Sequence, residues 1–146
     1  MEGDVRRSCD LTPNASFNRR LRDGAAQCRK TVESTLGSLT KPDDLPLPPY
    51  YPRTKDILDD WALTLDACRY TDHQIGQIMD RLRDEGILDS TVIIFIADHG
   101  VSHARGKQYL YDEGTHIPFV MRGPGVDKGK VRDDLIEHMD MAATSL

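Results

Sequence analysis

Residues 91–125 read TVIIFIADHGVSHARGKQYLYDEGTHIPFVMRGPG, and the opening of this stretch decides the fold. The run Val92-Ile93-Ile94-Phe95-Ile96-Ala97 is rich in β-branched residues and stops abruptly at Asp98-His99-Gly100. Hydrophobicity that is continuous rather than alternating predicts a strand buried on both faces, as in a parallel sheet covered by helices. In such sheets, ligands and metals bind beyond the carboxyl ends of the strands. Asp98 and His99 are therefore candidate site residues, and Gly100 would let the backbone turn tightly beside a ligand. Taken singly, each residue has a plainer reading. Asp98 would cap a turn, His99 would be a structural histidine and Lys107 a surface lysine. The order is what singles them out: apolar strand, Asp-His-Gly, lysine-bearing loop, Tyr-Asp-Glu-Gly, then a strand closed by Arg122-Gly123-Pro124-Gly125.

Working outward, Thr115 to Arg122 reads as that second strand, with Pro118 confining it to an edge or a strand start. Asp127 to Arg132 is a charged, hairpin-like stretch. Residues 135–146 look like the beginning of an element that is cut short. Upstream, Thr54 is the expected N-cap of a long helix, with Asp56 well placed against its dipole. The stripe Leu58, Trp61, Leu65, Cys68, Asp72, Ile75, Met79, Leu82 keeps steps of three and four and predicts one buried face. Asp72 interrupts that face, as a ligand, as a carboxylate hydrogen-bonded to neighbouring backbone or as a residue at its edge; His73 points elsewhere. Gly86 should end the helix. Helix, short turn and apolar strand in succession predict an α/β fold.

Residues 41–53, KPDDLPLPPYYPR, exclude helix and central strand through their prolines and predict an extended connector pinned by Tyr50 and Tyr51. Residues 1–40 form a basic segment, with a helix expected from about Phe17 to Leu36 on the spacing of Leu21, Ala25, Cys28, Val32 and Leu36. The domain organisation is thus a poorly defined basic segment (1–40), a connector (41–53) and an α/β domain (54–146). The triplet Asn14-Ala15-Ser16 matches a glycosylation acceptor that is common by chance.

Composition narrows the function classes. At 146 residues the chain has the length of one domain, and 38% hydrophobic content is lean for a self-sufficient α/β core. A net charge of -5 argues against a nucleic-acid partner, whose phosphates demand clustered Lys and Arg. No apolar run reaches membrane-spanning length, and the segment after Met1 has no signal-peptide pattern. Cys9, Cys28 and Cys68 form no metal-binding pair, so reduced thiols are expected.

At Asp72 to Gly76, Gly86 to Thr91, Ala97-Asp98-His99-Gly100, Gly106-Lys107, Tyr111 to Pro118, Arg122 to Gly125 and Glu137 to Thr144, the order and spacing resemble the sulfatase family of the alkaline phosphatase superfamily. The resemblance covers roughly residues 41–146. It implies a fragment of an alkaline-phosphatase-like α/β sandwich, with a mostly parallel sheet flanked by helices. The implied activity is metal-dependent hydrolysis of a sulfuric ester or N-sulfate. The implied ligand is a sulfated small molecule or glycan.

By the same resemblance, Asp98 and His99 would be ligands of a divalent cation, usually calcium. Lys107 would contact the sulfate and offset charge on the leaving oxygen. A cation and a fixed ammonium suit a transition state with charge on sulfuryl oxygens. An imidazole ligand keeps zinc and manganese open, and with them the phosphodiesterase and phosphatase branches, because calcium prefers oxygen. His103 is a candidate substrate hydrogen-bonding residue, Arg105 a source of electrostatic attraction. His116 opens the second strand in a structural role. None of the cysteines lies in the C-x-P-x-R context of the family's formylglycine nucleophile. The family's early paired aspartates and histidine-bearing strand also have no counterpart. The isolated chain is therefore expected to be inactive and to bind metal weakly. A non-catalytic α/β binding domain is the alternative.

Overall fold

A computed structural model describes residues 17–145. Cys9, the Asn14-Ala15-Ser16 triplet, the earliest arginines and the side chains of Leu21 and Ala25 lie outside the described residues. The chain divides into two compact units, one ending at Arg81 and one starting at Leu82.

The first unit is built on two helices, α1 (Phe17–Leu36) and most of α2 (Lys55–Asp84). α1 has the bounds its periodicity predicts, and Cys28 and Val32, one turn apart, are fully buried. α2 departs from the predicted stripe at two positions. Its buried residues are Ala62 and Asp66, whereas Cys68 and Asp72 are exposed. The other six stripe residues, Leu58, Trp61, Leu65, Ile75, Met79 and Leu82, are half-buried, and the burial centres one residue to their side. Partners are the physical reason. Asp66 accepts hydrogen bonds from the Thr40 backbone N–H (2.8 Å) and hydroxyl (2.6 Å). Arg69 Nη1 and Arg29 Nε lie 3.4 and 3.5 Å from its oxygens. A carboxylate so provided for can be buried where an apolar count would leave it outside.

The same contacts fasten the turn after α1. Arg69 also donates to the Ser38 carbonyl at 3.1 Å, and Arg29 to the Thr40 carbonyl at 3.4 Å. The proline-rich connector includes a 3₁₀ turn at Pro42–Asp44 and buries Leu45. Tyr51 meets Trp61 edge-on, with ring centroids 5.6 Å apart, and Tyr50 packs on Tyr51. The tyrosines therefore pin the connector to α2, as the sequence suggested.

In the second unit α2 ends where glycine was expected. Gly86 has φ +74°, and Ile87 N–H donates back to the Leu82 carbonyl at 3.0 Å. A 3₁₀ turn, Leu88–Ser90, buries Leu88 and leads into β1 (Ile93–Ile96). A short helix α3 (Asp112–Thr115), strand β2 (Phe119–Arg122) and helix α4 (His138–Ser145) follow. β1 and β2 pair antiparallel, with Ile93 opposite Arg122 and Ile96 opposite Phe119.

Two expectations are corrected here. Among the described residues the sheet is two-stranded and antiparallel, with no parallel partner for β1. The segment joining the strands contains only the four-residue α3 and returns the chain beside β1 in the opposite sense. A parallel return needs a crossover that spans the strand's length. β1 is also not buried on both faces. Ile94, Ile96, Phe119 and Met121 share one half-buried face, while Phe95 and Val120 on the other are 37% and 58% exposed. Among the described residues no helix of the second unit packs on that second face.

Candidate functional site

β1 carries the chain to Asp98 and His99, and the loop beyond it is locked by three glycines. A Cβ on Gly100 would strike the backbone of Glu113 and Gly114, and one on Gly106 the carbonyl of Val101. On Gly114 it would strike the carbonyls of Tyr109 and Gly106. Only hydrogen at these positions lets the strands of the loop approach so closely. Lys107 N–H donates to the Val101 carbonyl at 2.8 Å, and Tyr109 N–H to Gly106 at 3.0 Å. The lysine-bearing turn is thereby folded back toward the end of β1. Arg105 (φ +69°) and Gln108 (φ +77°) flank it in the left-handed region, which side chains rarely adopt.

His99 Nδ1 lies 2.8 Å from the Gly100 carbonyl oxygen, which only accepts, so Nδ1 carries the proton. Nε2 lies 3.6 Å from Asp98 Oδ2. Two donors bound to one cation at about 2.3 Å and roughly a right angle stand about 3.3 Å apart. The pair therefore fits adjacent positions on one ion, and a backbone-bonded far nitrogen is the usual support of a metal-binding histidine. A pair is not a full coordination sphere. Among the described residues no three His, Cys, Asp or Glu side chains cluster as a metal site.

The other candidates are placed as follows. Lys107 and His103 are half-buried within the glycine-locked loop. His116 does not open β2; it caps α3 and pairs with Asp112 at 3.4 Å. Pro118 lies just before β2, which accounts for the late start of that strand. One residue near the site received no role from the sequence. His138 Nε2 lies 3.1 Å from the Ala97 carbonyl, tying the start of α4 to the end of β1. No local pattern in the sequence signals this long-range bond.

Shallow basins lie elsewhere. In the first unit Leu36, Cys68, Arg69, Asp72 and His73 line about 550 Å³, and in the second Arg83, Gly86, Leu88, Asp89 and Arg122 line about 290 Å³. Neither includes Asp98, His99 or Lys107. Cys68 reaches the surface, but its neighbours desolvate the sulfur and push the thiol pKa up. A raised pKa means less thiolate and a poorer nucleophile. Alkylation of Cys68 by iodoacetamide at pH 8 is expected to run several-fold slower than that of an unperturbed thiol. An equal or faster rate, read by mass spectrometry, would refute this.

The described residues combine helices with a two-stranded sheet that ends at the polar residues Asp98 and His99. Comparison with known proteins adds the family: the sulfatase family model matches residues 16–146, and the chain belongs to the sulfatase family. Membership implies the α/β, alkaline-phosphatase-like fold. The chain is 32% identical over 122 residues to an ulvan-active sulfatase of Formosa agariphila, covering 83% of this chain and 20% of that protein. It is 30% identical over 107 residues to human N-sulphoglucosamine sulphohydrolase, covering 72% and 21%. With arylsulfatase K of Danio rerio it shares 36% identity over 66 residues, 42% of this chain and 13% of the relative. The chain thus spans about a fifth or less of the length of these curated relatives. No solved structure matches it.

Proposed function

We propose that this chain carries part of the active site of a metal-dependent sulfatase, hydrolysing a sulfuric ester or N-sulfate. The observation that carries the reading is the approach of Asp98 Oδ2 to His99 Nε2, 3.6 Å apart at the end of β1, with His99 Nδ1 engaged by the Gly100 carbonyl. In this reading Asp98 and His99 hold a divalent cation: calcium by family habit, zinc or manganese by the imidazole donor. The cation would supply Lewis-acid stabilisation of a sulfuryl oxygen. Lys107 is the catalytic lysine, contacting the sulfate and offsetting charge on the leaving oxygen. His103 donates a hydrogen bond to substrate. The names of two relatives, one acting on ulvan and one on N-sulphoglucosamine, support a sulfated glycan as the substrate class. The sheet of the whole protein is, in this reading, the mostly parallel one of the superfamily.

The chain has no cysteine in a C-x-P-x-R context, and two donors make a weak cation site. Turnover of an aryl sulfate by this polypeptide alone is therefore expected to be absent. Calorimetry should detect weak binding of calcium, zinc or manganese that drops about tenfold or more in Asp98→Ala, as loss of a charged ligand requires. Equal affinity in the variant would remove the metal assignment. Turnover by the chain alone would show that its nucleophile is already present.

A further inference from the structure

The loop that bears Lys107 also presents an aromatic surface that the proposed chemistry does not use. Tyr109 and Tyr111 are 54% and 47% exposed, large rings left in water on a turn that is otherwise tightly closed. Their planes are near parallel, 28° apart, with centroids separated by 6.2 Å. Arg105 Cζ lies 4.1 Å from the centroid of Tyr111. The row is not a chance of floppy side chains. Arg105 and Gln108 are held at positive φ, and the glycine contacts fix the backbone between Gly100 and Gly114. A conformation that disfavours two of its own residues persists only where the surroundings over-determine it, and such spots concentrate at ligand sites.

We propose that Tyr109 and Tyr111, with Arg105, form a platform on which the pyranose ring of a sulfated sugar stacks while its sulfate reaches Lys107. The proposal rests on the sulfatase reading above and assigns the sugar-binding part of that site. The chemistry selects this ligand. The faces of tyrosine rings are electron-rich and attract the weakly positive C–H face of a sugar ring. A guanidinium over one ring and an ammonium on the same turn favour an anionic substituent on that sugar. A neutral sugar would use the rings alone, and inorganic sulfate would use the cations alone.

The test is an NMR titration of the full chain with N-acetylglucosamine 6-sulfate, unsulfated N-acetylglucosamine, phenyl sulfate and inorganic sulfate. The wild-type chain should bind the sulfated sugar about tenfold more tightly than inorganic sulfate, the scale of one stacking contact. Tyr109→Ala should erase that advantage and leave inorganic sulfate binding unchanged, whereas Tyr109→Phe, which keeps the ring, should retain it. Unchanged amide shifts in β1 certify that the variants are folded. Lys107→Ala should weaken both ligands, and this arm reads the sulfatase assignment itself. If Lys107→Ala behaves so but Tyr109→Ala binds the sulfated sugar like wild type, the platform falls alone. Phenyl sulfate binding as tightly as the sulfated sugar, with the same loss in Tyr109→Ala, overturns the choice of a sugar. If the wild type binds no sulfated ligand, both readings fall.

Discussion

Asp66→Ala is expected to destabilise the unit that ends at Arg81 by about 3 kcal/mol, the lower end of the cost of breaking a buried ion pair. Asp66 is fully buried; it accepts hydrogen bonds from the Thr40 backbone, the Thr40 hydroxyl and Arg69, and forms an ion pair with Arg29 at 3.5 Å. Removing it strands these donors around a cavity. The arginine side chains, 29% and 40% exposed, regain some hydration, which is why the lower end is expected. Asp66→Asn keeps an acceptor for Thr40 but loses the charge, and should cost about 1.5–3 kcal/mol. Urea denaturation followed by far-ultraviolet circular dichroism, with Trp61 fluorescence as a local probe, measures both. A loss below about 1 kcal/mol in the alanine variant would mean that the carboxylate is not the clasp between α2 and the turn after α1.

Gly100→Ala is expected to open the loop of the second unit at a cost of about 3 kcal/mol or more, beyond ordinary overpacking. The obstacles to its Cβ are the carbonyl of Glu113 and the Cα of Gly114, backbone atoms that no rotamer change can move aside. Relief requires the segment around Gly114 to retreat, and Gly114 is itself pressed against Tyr109 and Gly106. The amide of Lys107, bonded to the Val101 carbonyl, should then exchange with solvent much faster, and cation and sulfate binding should fall together. Gly76→Ala is the contrasting control. Gly76 lies inside α2 with ordinary backbone angles and nothing near its absent Cβ. There the added methyl should stabilise by up to about 1 kcal/mol through helix propensity. Unaltered exchange at Lys107 in Gly100→Ala would show that the loop has slack which the close backbone contacts deny.

The elements were legible because their signals are local. The 3.6-residue period marks α1, the glycine after Arg83-Asp84-Glu85 marks the end of α2, and the β-branched run marks β1. The candidate site was legible as an order of residue types, since Asp98 and His99 are adjacent and Lys107 shares their loop. What failed was inference about neighbours. A continuous apolar run announces a surface to be covered, but not which segment covers it. β1 accordingly pairs with β2 in the antiparallel sense and leaves Phe95 partly exposed. His116 was assigned to a strand because apolar residues follow it, whereas its backbone N–H closes α3 on the Asp112 carbonyl at 2.8 Å.

By itself the sequence determined where chain direction changes and which residue types follow β1, because glycine, proline and hydrophobic period act through backbone sterics and nearest neighbours. Tertiary structure alone decided that Asp66, not Asp72, is the buried carboxylate of α2. A charge can be buried only where partners distant in sequence, here Arg29 and Thr40, converge on it. It also decided the partner of His99 Nδ1, since its bond to the Gly100 carbonyl depends on how the loop folds back on three glycines that meet only in space.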